Sequence, residues 1–190
     1  HILNLLLIFV QNYNQIHSYT SKQMLQIDKI KAFVELGKFL AQFSENNTLK
    51  NSAVLHNETF FDAFVDLIHL SQSHNGWYTP EQVYFSIQSW AEALTDENLS
   101  QWLSEYDLEK NNSKNVALIL AGNIPLVGFH DFLSVLITGN NVLVKTSSND
   151  QHLLPFLAKY IIAVEPEFEK RRPTMSKYKY SKTEQQINNV

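Results

Sequence analysis

Residues 115–145 read NVALILAGNIPLVGFHDFLSVLITGNNVLVK, and this stretch decides the fold that the sequence predicts. Residues 115–121 form a short, continuous apolar run, which is typical of a buried parallel strand. The run ends at Gly122, and a helical spacing of apolar residues then follows and stops at Gly139, a favourable C-terminal cap. Residues 141–145 predict a second short strand. Strand, helix and strand in this order predict a parallel α/β sheet.

Polar residues stand directly after both predicted strands. Gly122 and Asn123 follow the first strand, and KTSS (residues 145–148) ends the second. In open parallel sheets, ligands bind at the carboxyl ends of the strands. Lys145 would be a cation at that edge, beside hydroxyls that can hydrogen-bond a ribose or a phosphate. The alternative is a lysine that only closes a loop at the sheet edge. The sequence has neither a G-x-G-x-x-G nor a Walker phosphate loop.

Helical patterns flank this stretch on both sides. Downstream, Ser148-Asn149-Asp150 predicts the cap of a helix bearing Leu153, Leu154, Leu157 and Ile161. Upstream, helical periodicity runs over residues 24–43 and 61–68. Thr79-Pro80-Glu81-Gln82 predicts a helix start with Thr79 as the cap and Pro80 in the first position, and Thr95 predicts another start. We expect the aromatic residues on these helices to pack in the core.

Composition excludes several functional classes. The chain has 190 residues with 15 basic and 19 acidic side chains, a formal net charge of -4, which argues against a general binder of nucleic acid. It has no cysteine, so disulfides, thiolate metal sites and a cysteine nucleophile are excluded within these residues. His69 and His74 are five residues apart and do not share a helical face, so we predict no metal site.

The sequence predicts four segments. Residues 1–23 are interpreted as an extra or non-native leader, 24–112 as a helical amino-terminal region, 113–168 as the first half of an α/β domain, and 169–190 as a disordered basic tail. The apolar run at residues 2–10 is too short to span a bilayer. It also has no basic residue before it, although a truncated signal peptide remains the alternative. We therefore predict a cytoplasmic protein without a membrane span.

The polar turns carry a resemblance to a known family. AGNIPL (residues 121–126) and TGNNVLVK (residues 138–145) resemble the cofactor-domain signature of the aldehyde dehydrogenase superfamily. The longer string AGNIPLVGFHDFLSVLITGNNVLVKTSSNDQHLLP is most similar to the acyl-CoA reductases of that superfamily, the group that includes the bacterial luminescence fatty acid reductase. The upstream GWYTPEQV is also similar. The resemblance covers residues 24–168 and implies an incomplete aldehyde dehydrogenase-like Rossmann-type parallel sheet preceded by a helical region.

The resemblance also implies roles for particular residues. Asn123 matches the asparagine whose amide stabilises the oxyanion on the acyl carbon, and Lys145 matches the lysine that holds the adenosine ribose. Ser148 stands where many NAD-preferring members have a glutamate, so the resemblance favours NADPH, with NADH as the alternative electron donor. Thr146 and Ser147 would add cofactor contacts, unless their hydroxyls only cap the loop. The implied activity is NAD(P)H-dependent reduction of a fatty acyl-CoA or another acyl thioester to the aldehyde.

The missing cysteine limits this implication. Members of the superfamily use a cysteine thiolate to take the acyl group, and the 190 residues contain none. We therefore interpret the chain as the amino-terminal part of such an enzyme and expect it to be inactive alone. The alternatives are a non-catalytic nucleotide-binding or subunit-pairing module, and a related reductase of acyl phosphates. An incomplete parallel sheet leaves a strand edge uncovered, so self-association, including a homo-oligomer, is expected.

Overall fold

The computed structural model describes residues 24–108 and 112–171 of the chain. The predicted leader at residues 1–23 lies outside the described residues, and so do residues 172–190 of the predicted tail. The secondary-structure elements, in chain order, are α1 Gln26–Leu40, α2 Asn57–His74, α3 Pro80–Ala93, α4 Asp96–Leu103, β1 Asn115–Ile119, α5 Phe129–Ile137, β2 Asn141–Lys145, α6 Leu153–Val164 and α7 Glu167–Lys170.

The two strands pair in parallel, as the order of elements predicts. The register sets Asn115 opposite Asn141 and Ile119 opposite Lys145. Within the described residues this sheet has two strands, so the fold is α/β with mostly helices and a small parallel sheet. Helix α5 connects the strands and ends at Ile137, and Gly139, two residues later, has a φ of 88°, the left-handed conformation expected of a helix-terminating glycine.

The prediction that the first strand is buried on both faces is wrong. Side chains of β1 alternate between half-buried and exposed, and Ile119 is 81% exposed. Leu118 packs against the core, whereas the side chains on the opposite face of the strand are exposed. An apolar run predicts burial only if other elements cover both faces of the strand.

Two of the three predicted helix caps are present in the structure, and the third is not. The Thr79 and Thr95 side chains accept hydrogen bonds from the backbone N–H groups of Gln82 (3.4 Å) and Asn98 (3.2 Å), which confirms both caps. The predicted cap at residues 148–150 is wrong, because α6 begins at Leu153 and its N-cap residue is His152, whose side chain makes no capping hydrogen bond. Residues 147–150 instead form a turn that brings the Asp150 side chain inward, where it is buried.

Helix α1 lies at the centre of the core. Phe33, Leu36 and Phe39 on this helix are fully buried. The Phe39 ring stacks on Tyr160 of α6 with 4.3 Å between ring centroids, and the Tyr160 hydroxyl donates to the Leu55 carbonyl (2.9 Å). The helices before β1 therefore share one hydrophobic core with the helices after it.

Candidate functional site

The loops that follow β1 and β2 touch each other at the carboxyl edge of the sheet. The strand pairing continues past β1, where the Leu120 N–H donates to the Lys145 carbonyl (3.0 Å). Beyond it, a Cβ placed on Gly122 would stand 2.6 Å from the Cβ of Ser147. Only a glycine allows this approach without moving one loop. The structure thus brings together the two polar clusters that the sequence predicts at the strand ends.

Asn123 lies in a tight turn between β1 and α5. The turn is closed by hydrogen bonds from Val127 N–H to the Ile124 carbonyl (3.2 Å) and from Phe129 N–H to the Leu126 carbonyl (2.9 Å). Leu126 adopts a φ of 59°, which is uncommon for a residue with a side chain and often found at functional sites. Asn123 itself is exposed, so its amide is accessible to a ligand at the sheet edge.

In the loop after β2, some side chains are exposed to solvent and others form hydrogen bonds within the loop. Lys145 and Ser148 are exposed, while Thr146 and Ser147 are half-buried. The Ser147 hydroxyl accepts a hydrogen bond from Asn149 N–H (3.2 Å), so this side chain helps to shape the loop. Among the four residues predicted to bind the cofactor, Lys145 and Ser148 are therefore the two that are exposed to a bound molecule.

A third loop, between α2 and α3, supports both of these loops, and no pattern in the sequence predicts this role for it. The side-chain amide of Asn75 donates to the Gly122 carbonyl (3.0 Å) and to the Asn149 carbonyl (3.1 Å). The Tyr78 hydroxyl donates to the Ile124 carbonyl (3.2 Å). The only pointer in the sequence was the similarity of GWYTPEQV, which begins at the residue after Asn75.

A buried carboxyl group lies behind the same loops. Burial raises the pKa of Asp150, while the Tyr78 hydroxyl and the backbone N–H groups of Leu153 and His152 act in the opposite direction. The Asp150 Oδ1 atom has no hydrogen-bond partner within the described residues. Burial raises the pKa of Tyr78 well above its ordinary value, and the negative charge of the Asp150 carboxyl raises it further. Tyr78 is therefore protonated at neutral pH and remains a hydrogen-bond donor.

An open apolar groove of about 310 Å³ lies between α3, α4 and the start of α5. Trp90 packs edge-on against Phe129, the first residue of α5, with ring centroids 4.7 Å apart. The groove is lined mainly by Trp90, Leu94, Leu99, Trp102, His130 and Leu133. Its volume lies at the lower end of the range of small-molecule pockets, and its lining is mostly apolar and aromatic.

Across residues 24–108 and 112–171, no group of three or more His, Cys, Asp or Glu side chains is arranged to hold a metal ion. In the same ranges, no helix combines the length and the apolar character that a membrane crossing requires.

Comparison with known proteins identifies the family. No curated protein and no solved structure matches the chain. A family model described as acyl-CoA reductase (LuxC) matches residues 93–189, which is just over half of the chain and includes β1, β2 and the loops that follow them. The chain therefore belongs to the LuxC family of acyl-CoA reductases.

Proposed function

We propose that this chain supplies the NADPH-binding α/β unit of an enzyme that reduces an acyl-CoA, or another acyl thioester, to the aldehyde. The observation that carries this proposal is the contact between the loop after β1, with Asn123 exposed, and the loop after β2, with Lys145 and Ser148 exposed. Membership of the acyl-CoA reductase family supplies the reaction class.

The side chains of the β2 loop suit the adenosine end of NADPH. Lys145 carries a positive charge that complements a phosphate, and the hydroxyls of Thr146 and Ser148 can hydrogen-bond a ribose or phosphate oxygen. Ser148 adds no negative charge beside the ribose, in contrast to the carboxylate that selects NAD in dinucleotide-binding folds. NADPH is therefore the proposed electron donor, and NADH is the alternative.

Asn123 is proposed to act at the acyl carbon. When bound, NADPH would supply a hydride to that carbon as the carbon–sulfur bond breaks, and the sulfur would leave as a thiolate that takes up a proton from water. The Asn123 amide can donate a hydrogen bond to the oxygen on which negative charge develops, and a neutral donor does this without changing its protonation state. The thiolate that would first take the acyl group must come from outside these 190 residues, because they contain no cysteine.

We propose that the acyl chain binds in the apolar groove. His130 and Leu133 line the groove and lie on α5, the helix that follows the Asn123 turn. An acyl chain lying there would bury its methylene groups against the Trp90 and Trp102 rings, a favourable exchange of water for apolar surface. A tryptophan fluorescence change on addition of a long-chain acyl-CoA, absent with free coenzyme A, is the expected signature.

A cofactor titration tests the proposal. We expect the purified chain to bind NADPH saturably, measured by the fluorescence of the nicotinamide ring, and Lys145→Ala to weaken binding by about tenfold or more through loss of a charged hydrogen bond. Lys31→Ala, at an exposed lysine of α1, is the control and should bind like the original chain. We expect no aldehyde from acyl-CoA and NADPH. Absence of saturable NADPH binding would overturn the proposal.

The lack of cysteine favours a second candidate function, a non-catalytic module that binds nucleotide or pairs with another subunit. The two candidates differ in what the chain contributes to turnover. A partner polypeptide that carries the missing cysteine should restore aldehyde formation if the chain is part of a reductase. Asn123→Ala should then lower that restored rate, since it removes the oxyanion donor. A module would bind its partner without this dependence.

A further inference from the structure

We infer that Asn75 is a positioning residue, which holds the Asn123 loop and the Ser148 loop in a fixed relation so that one cofactor can contact both. This inference rests on the proposed function, because it assigns Asn75 a task in the cofactor site described above. Asn75 follows the last residue of α2 and is buried, with 7% of its surface exposed. It is not a catalytic residue, since it contacts loop backbone rather than the reacting groups.

Every polar atom of Asn75 has a partner. Its side-chain nitrogen donates to the Gly122 carbonyl (3.0 Å) and the Asn149 carbonyl (3.1 Å), which belong to different loops. Its side-chain oxygen accepts from Trp77 N–H (3.0 Å), and its backbone N–H donates to the Ser71 carbonyl (2.9 Å). The last bond is the continuation of α2, so the amide is attached to the end of a long helix. One rigid group thereby connects both loops to the core.

These bonds fall on both sides of Asn123 and directly after Ser148. The Gly122 carbonyl, held by Asn75, comes just before Asn123, and the Ile124 carbonyl, held by Tyr78, comes just after it. The Asn149 carbonyl comes immediately after Ser148. Fixing the carbonyls on both sides of Asn123 limits rotation of its backbone, and so limits the directions in which its amide can point.

An asparagine is the residue type that this arrangement requires. The amide nitrogen carries two hydrogens and can serve two carbonyls at once, while the amide oxygen serves an N–H group. Aspartate would place an oxygen against both carbonyls and leave them without donors. Alanine would leave the same two carbonyls unsatisfied in a buried place, which costs stability as well as position.

The test must separate positioning from stability. Asn57→Ala is the matched control, because Asn57 is also a buried asparagine whose amide donates two hydrogen bonds, to Gln42 Oε1 (2.7 Å) and to the Asn51 carbonyl (2.7 Å), away from the cofactor loops. We expect Asn75→Ala and Asn57→Ala to lower the free energy of unfolding by similar amounts. Tyr78→Phe, which removes one hydroxyl, provides a milder variant if Asn75→Ala does not fold.

The decisive readout compares two ligands. NADPH would span both loops, whereas adenosine 2′,5′-bisphosphate would need only the Lys145 and Ser148 loop. We expect Asn75→Ala and Tyr78→Phe to raise the Kd for NADPH by about tenfold, a change in the range of one lost buried hydrogen bond. Asn75→Ala also frees the Asn149 carbonyl beside Ser148 and should raise the Kd for the bisphosphate by a smaller factor, whereas Tyr78→Phe should leave that Kd unchanged. Asn57→Ala should change neither Kd. Equal losses for both ligands, or no loss, would overturn the inference.

A second measurement keeps the inference testable if the original chain binds no NADPH. That result would refute the proposed function but would leave the loop connection open to test. Amide hydrogen exchange at residues 122–124 and 147–150 should then rise in Asn75→Ala and stay unchanged in Asn57→Ala. Unchanged exchange in both loops of Asn75→Ala would show that Asn75 does not hold them.

Discussion

Ser148 is the residue at which the choice of nicotinamide cofactor can be tested. It is exposed in the loop after β2, at the position where the resemblance places a glutamate in NAD-preferring proteins. Ser148→Glu should weaken NADPH binding by about tenfold or more, because a carboxylate would face the 2′-phosphate, and should improve NADH binding through the free ribose hydroxyls. Titrating both cofactors against both chains checks this. Asn149→Asp controls for added negative charge in the loop, and a parallel loss of both cofactors in Ser148→Glu would contradict the prediction.

Residues at strand ends were predictable, whereas the residues that support them were not. Asn123 and Lys145 follow apolar runs, and parallel strands bring their carboxyl ends to one edge. Asn75 lies 47 residues from its partner Gly122 and 74 from its partner Asn149, so no local pattern connects them. A polar residue after a helix suggests a turn, and only the tertiary contacts show that its amide serves two distant carbonyls.

At the scale of elements, Gly37 decides how closely α1 approaches the end of α3. A Cβ on Gly37 would contact the backbone carbonyl oxygen of Leu94 and lie 2.9 Å from the Leu94 Cβ. Gly37→Ala should therefore lower the free energy of unfolding by about 1–3 kcal/mol through overpacking, although alanine normally favours a helix. Chemical denaturation followed by circular dichroism measures this change.

Gly76→Ala is the matched control for this prediction. A Cβ on Gly76 would meet no atom within 4 Å, so its substitution should change stability by less than about 0.5 kcal/mol. If the two alanine variants unfold at the same denaturant concentration, the close approach of α1 and α3 does not limit stability.

Sequence patterns predicted the ends of helices correctly where the capping interaction is formed by residues close in the sequence. Thr79 and Thr95 cap helices by bonding to N–H groups three residues away, and Gly139 ends α5 through its own conformation. The cap predicted at residues 148–150 lies too early in the chain, because Asp150 packs against Gly122, a contact that depends on the tertiary fold, and the helix begins only after His152. Burial of β1 fails for a similar reason, since burial depends on which elements cover each face of the strand.

At the scale of the whole molecule, α1 joins the two halves of the chain. It carries Phe39, which stacks on α6, and Gln26, whose side-chain amide donates to the Ile137 carbonyl at the end of α5 (3.0 Å). The α/β unit therefore rests on a helix that comes before it in the sequence by about a hundred residues, a contact that periodicity alone does not predict. Cooperative unfolding of both halves together follows from this shared core.

Lys29 introduces a charge into this junction. It is a buried residue of α1, and its Nζ atom lies 3.1 Å from the position that a Cβ on Gly139 would take. The Arg171 guanidinium is close to the same residue, because it donates a hydrogen bond to the Gly139 carbonyl (2.5 Å). Burial, and next the charge of Arg171, lower the pKa of Lys29 from 10.5 to about 8. Between pH 8 and 10.5 the unfolded state therefore binds more protons than the folded state. Lys29 thus makes the free energy of unfolding rise as the pH increases from about 8 to 10.5.

Lys29→Met removes the charge and keeps most of the apolar stem. We expect the variant to be more stable than the original chain at pH 7 by about 1 kcal/mol, less than the full pKa shift implies because partial hydration screens the charge. Its advantage should shrink as the pH rises from about 8 to 10.5, since the neutral lysine no longer carries the penalty. Thermal unfolding at several pH values, with Lys31→Met as an exposed control on the same helix, measures this difference. An advantage that is constant with pH would mean that Lys29 loses no proton in this window.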